Sequence, residues 1–143
     1  MSHQAVVHSH LEVLMQEYLE VEELRVAPNG DIGVRTEESG FTARIPSDRG
    51  EPHLEVYSVV LDEVEADPGL WEALNGLNGG LTHCRVFWRD GAIVVAGELL
   101  GAFTALPSLA CLIGEVVRIA DEEAPQLHAV YGGRTWAQQQ EET

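Results

Sequence analysis

Apolar side chains at Val7, Leu11, Leu14, Met15, Tyr18 and Leu19 recur at one-, three- and four-residue steps. At about 100° per residue they fall within roughly 140° of one another, which predicts an amphipathic helix over residues 7–19. Val13 lies on the far side of that helix, among Glu12, Gln16, Glu17 and Glu20. Strand patterns follow. Residues 24–27 and 32–36 flank Pro28-Asn29-Gly30-Asp31, and Asn-Gly is the strongest short hairpin signal. Glu38-Ser39-Gly40 turns the chain into a strand at 41–45, and residues 46–52 read as a polar loop. From 53 to 64 both alternating sets are apolar, as in a strand covered on both faces or bent by a bulge.

Asp67-Pro68 starts a helix, with Asp as the cap and Pro at the first helical position. Leu70, Leu74 and Leu77 share its apolar face, and Gly79-Gly80 ends it. Residues 83–89 and 92–99 flank Asp90-Gly91, a second hairpin. The last predicted helix, 105–123, has apolar residues over roughly 180° of its circumference. A surface helix needs a stripe only somewhat over 100° wide. The excess at one margin, Leu112 and Ile119, asks for a second surface: another subunit, a client peptide or the first helix. The fold class expected is α+β, an antiparallel sheet with helices in the order α-β-β-β-(β)-α-β-β-α. Residues 1–134 form one domain, and 135–143 (TWAQQQEET) are expected to fray.

Composition narrows the function. The 143 residues carry 24 acidic and 8 basic groups, a net charge of −16, and every basic residue is Arg. Such a field repels nucleic-acid phosphates and anionic membranes. No apolar run approaches a membrane span, the first ten residues lack the pattern of a secretory signal, and two Cys make no disulfide framework. A cytoplasmic protein is expected.

The segment WEALNGLNGGLTHCRVFWRDGAIVVAGEL, residues 71–99, together with the order of elements, resembles the YbjN and type III secretion chaperone-like superfamily. Leu74-Asn75-Gly76-Leu77-Asn78 is similar to the Leu-Asn-x-x-Asn helix end of YbjN-like sequences. The resemblance implies a twisted antiparallel sheet with helices, a homodimer, and binding of extended peptide segments without catalysis. It also implies a dimer interface on the middle helix and the following strands, around Trp71 and Phe87.

No residue pattern supports a reaction, a metal or a cofactor. His8 and His10 are two apart and do not share a helix face. His83 and Cys84 are adjacent on a strand and point to opposite faces. The abundant Glu residues read as surface charge, not a catalytic pair. Apolar surface is what remains. Leu99, Leu100 and Phe103, in the connection before the last helix, either cap the core or form a patch for a partner; Val13 and Trp71, at or beyond the margins of their stripes, join them. The function expected is a non-enzymatic interaction module binding client peptides, basic ones being favoured by the field. The alternative is a small regulatory or sensory protein that docks on one folded partner or binds a small ligand between sheet and helices.

Overall fold

The first helix, α1, spans His3–Leu19 and begins four residues before the apolar stripe does. Val7, Leu11, Leu14 and Met15 are buried while Val13 is exposed, as their spacing predicts. The chain leaves the helix at Glu20, which takes φ +56°, and the Val21 N–H closes the end on the Gln16 carbonyl at 3.1 Å. The structure, a computed structural model, describes residues 3–46, 51–101 and 104–141.

Among the described residues six strands form one antiparallel sheet: β1 Ile32–Arg35, β2 Gly40–Arg44, β3 His53–Asp62, β4 Arg85–Arg89, β5 Ala92–Leu100 and β6 Arg134–Thr135. The spatial order is β1-β2-β3-β5-β4. Leu61 of β3 pairs with Ile93 on β5 and also with Thr135 on β6, so β6 occupies the same flank of β3 as β2, further along. The α+β class and the general order of elements agree with the sequence pattern. The strand expected at 24–27 is reduced to a single bridge, Val26 to Ile32. Its partner strand is short, and Pro28 and Asn29 place the turn close behind Val26. The long β3 does carry a bulge, between Val59 and Leu61, which turns both Val60 and Leu61 into the core.

Helix α2, Pro68–Asn78, is capped by Asp67, whose carboxylate accepts from the Leu70 N–H at 2.8 Å. The Asp90-Gly91 turn has positive φ at both residues, the twist-matched geometry of a two-residue hairpin. Helix α3 covers Leu106–Arg118, then widens into a π-turn at Ile119–Glu123 and continues as α4, Ala124–Tyr131. The expected stop at 123 is therefore passed. A proline at 125 would clash with the carbonyl four residues back in a regular helix; the wider turn, with the Ala124 N–H reaching Ile119, accommodates it. Where a frayed tail was expected, β6 is followed by a short helix, α5, Trp136–Glu141. Its Gln139 amide donates to the Val59 carbonyl at 3.0 Å.

One core lies between the sheet and the helices. Leu112 and Ile119 belong to it, each 0% exposed, which removes them from any partner surface. Leu112 Cδ1 rests where a side chain at Gly97 would stand, and α1 packs beside α3. Both covers come from distant parts of the same chain, so the wide apolar stripe is closed without association. Burial of two such side chains is worth about 1.5–3 kcal/mol each.

Candidate functional site

In an antiparallel ladder, main-chain groups of alternate residues face the neighbour and the outside. On β4, Val86 faces outward, and its edge is already occupied. The Asn78 side chain donates to the Val86 carbonyl and accepts from the Val86 N–H, both at 2.8 Å. One step earlier, Glu115 of α3 accepts from the Cys84 N–H at 3.2 Å, and also from Thr82 at 2.9 Å and His83 at 2.6 Å. Burial alone would raise the Glu115 carboxyl, but the Thr82 and His83 N–H bonds hold it below its ordinary value. The Cys84 thiol is pushed up to about 12, first by burial and then by the Glu115 carboxylate 3.5 Å away.

The opposite edge is different. The Thr36 N–H donates to Ser39, which fixes the phase of the β1–β2 ladder so that Ile32 and Val34 face β2. The main-chain groups of Gly33 and Arg35 face outward. Beyond the bridge at Val26, no further strand flanks them among the described residues. Beside this edge the segment after α1 presents Val21 and Val26, 42% and 39% exposed. Two shallow depressions adjoin there. One is lined by Glu17, Glu20, Val21 and Glu22, the other by Leu24, Arg25, Val26, Asp31 and Gly33. Apolar contacts and an acidic rim thus meet along β1, whose outer edge the 25–27 segment covers as far as Gly33 through the Val26 bridge and the Ala27 N–H bond to the Asp31 carbonyl at 2.9 Å, with the outward main chain of Arg35 beyond it. Sequence reasoning missed Val21 and Val26; the available signal was apolar residues among Glu20, Glu22 and Glu23 at neither helical nor regular strand spacing.

The residues proposed from sequence do not form one patch. Trp71 is 48% exposed on α2 and meets Trp88 edge-on at 5.6 Å. Phe87 points to the other side of the sheet, with the guanidinium groups of Arg85 and Arg89 at 5.4 and 5.3 Å from its ring. Leu100, 62% exposed, and half-buried Leu99 end β5, far along the strand from its β4 partners. Val13 stands exposed on α1. Phe103 lies outside the described residues.

The face of the sheet opposite α1 and α3 gathers Arg35, Arg44, Arg85 and Arg89, half of the eight cations in the chain, with the Arg35 guanidinium over the Trp136 ring of α5 at 5.2 Å. Arg44 pairs with Glu55 at 2.7 Å and covers Tyr57, and Arg85 makes a two-pronged pair with Glu98 at 2.7 and 2.9 Å. Among the described residues no cluster of three or more His, Cys, Asp or Glu could hold a metal ion, and no helix is long and apolar enough to cross a membrane.

Comparison with solved structures finds the same fold. A chain of the ExsC–ExsE complex matches with a TM-score of 0.62 at 14% identity, covering 87% of this chain and 96% of that one. A chain of the HopA1–SchA chaperone–effector complex matches with 0.62 at 13%, covering 84% and 94%. A chain of the heterodimeric ExoU–SpcU complex from the type III secretion system of Pseudomonas aeruginosa matches with 0.53 at 15%, covering 80% and 95%. A search of curated proteins finds no match. Residues 5–139 match the family described as TY-Chap1, T3SS (YopN, CesT) and YbjN peptide-binding chaperone 1. With nearly the whole chain accounted for, including the Asn78 that guards its sheet, this protein belongs to that family of peptide-binding chaperones.

Proposed function

We propose that the chain holds an extended segment of a client protein against the outer edge of β1, with apolar client side chains on Val21 and Val26. The observation that carries this reading is the asymmetry of the sheet: β4 is guarded by Asn78 and Glu115, whereas β1 past the Val26 bridge turns the main chain of Arg35 outward, with exposed Val21 and Val26 beside the same edge. An added strand gains main-chain hydrogen bonds, and the pockets beside it select side chains. Glu17, Glu20 and Glu22 at the rim favour a client with Lys or Arg near its apolar anchors. The relatives solved as complexes with a second protein, one of them titled a chaperone–effector complex, support a client of this kind.

Self-association is a separate part of the reading. Trp71, exposed beside the guarded edge, supplies an apolar contact for a second copy, and with Val86 capped the contact is made by side chains, not by a continuous sheet. Two free thiols, Cys84 and Cys111, fit a reducing cytoplasmic setting.

Fluorescence anisotropy with a labelled peptide of alternating Val and Lys tests the client site. Val26→Asp should weaken binding by about tenfold or more, equal to 1.4 kcal/mol, while Trp71→Ala leaves it unchanged. Equal affinity for Val26→Asp and the parent, or a preference for the Val/Glu counterpart, would overturn the assignment. Sedimentation of Trp71→Ala against the parent reads the self-association independently.

A further inference from the structure

Between the sheet and the last helices lies a cavity of about 260 Å³, bordered by the β1–β2 turn and not by Val21 or Val26. Its walls are Val60 and Leu61 of the β3 bulge, Ala120 of the π-turn, Ala124, Pro125 and His128 of α4, Glu38 and Ser39 of the β1–β2 turn, and Trp136 with its neighbours. Two backbone irregularities, the bulge and the π-turn, converge on this one space, and both kinds are enriched beside functional sites. The turn that carries Ser39 is tied down: Asp121 accepts from the Thr36 hydroxyl at 2.7 Å and the Glu38 N–H at 3.2 Å. Ser39 is 4% exposed, its main chain is bonded to Thr36, and its Oγ has no hydrogen-bond partner among the described residues. A buried hydroxyl without a partner is costly, and here it lines a cavity whose other walls are largely apolar.

We propose that this cavity is a binding site for a neutral, phenol-sized aromatic ring bearing one polar group, which bonds to Ser39 Oγ while the ring packs on Trp136, Pro125 and Ala124. The hydroxyl can donate or accept, so a phenol satisfies it in either sense. Charge on the ligand is disfavoured: Glu38 at the wall and Asp121 behind it repel an anion, and the apolar walls penalise any ion. The inference does not depend on the peptide site at β1. The same ring chemistry comes either from a free small molecule or from a tyrosine side chain of a bound protein, and the two are separable.

The experiment titrates the intact protein with p-cresol and with toluene, following backbone amide resonances by NMR. The expected result is shifts confined to residues around Ser39, Ala120, His128 and Trp136, with p-cresol preferred by about five- to tenfold, the worth of one hydrogen bond. Ser39→Ala, which deletes an unpaired group and should keep the fold, should erase that preference; Ala124→Leu should abolish both shifts. A short tyrosine peptide binding the same residues more tightly than p-cresol assigns the ring to a protein partner, and weaker peptide binding assigns it to a free ligand. Absence of shifts at these residues with p-cresol, or an unchanged preference in Ser39→Ala, would sink the proposal.

Discussion

The carboxamide of Asn78 binds both main-chain groups of Val86, taking the place that a neighbouring strand would occupy. The last residue of α2 thus guards the outermost strand eight residues later. Edge strands left open are templates for unwanted pairing. Asn78→Ala should cost about 1–3 kcal/mol in urea unfolding, since it strands two main-chain groups, and should add a self-association that rises with concentration in light scattering.

Leu112→Ala removes buried volume against Gly97. It should destabilise the fold by about 2–5 kcal/mol without changing the mass of the native species at a concentration where the protein remains folded. A change in oligomeric mass at equal folded fraction would contradict the internal packing described above.

Acid should loosen the region around β4. Glu98 lies below its ordinary carboxylate range because Arg85 bonds to it, and Glu115 does so because backbone N–H groups outweigh its burial. A carboxyl lowered in the folded state contributes stability that is complete above its unfolded pKa, about 4.3 for Glu, and lost as pH falls through the folded value. The urea midpoint should therefore fall between pH 5 and pH 3 by a larger step in the parent than in Glu115→Gln. Parallel profiles would count against this role for Glu115.

The two thiols should differ in reactivity. Cys84 is raised to about 12 and half-covered, and Cys111 is exposed on α3. The thiolate is the reacting form, so iodoacetamide at neutral pH should label Cys111 and spare Cys84 until the protein is unfolded, as peptide mapping would show.

Ala105, the residue at the N-cap of helix α3, offers no side-chain cap. Ala105→Ser should stabilise by about 0.5–2 kcal/mol, read as a higher urea midpoint with unchanged slope.

These residues also show what is legible in a linear chain. The Asp67-Pro68 cap and the Asp90-Gly91 turn act within a few residues, so their chemistry is visible locally, and both are where the pattern puts them. The width of the stripe on α3 is legible and the first helix stands among the covers it allows, but the choice of α1 over an outside partner, and the part played by Gly97, are made only in the tertiary fold. Asn78 looks like ordinary helix-end chemistry until β4 returns beside it. Ser39 reads as a turn residue, and only the joint approach of β3, the π-turn and α5 surrounds its hydroxyl. Trp71 and Phe87, neighbours by family likeness, lie on opposite sides of β4 because Phe87 and Trp88 alternate across the strand.

Because β6 continues the row begun by β2, the flank of β3 is shared between two segments nearly a hundred positions apart in the chain. Deleting the segment from Arg134 onward would bare Leu61 and Asp62 while leaving β2 in place, turning a finished margin into a notch. Shortened versions of this protein should accordingly be judged first by whether they clump, before any loss of partner recognition is ascribed to the missing residues.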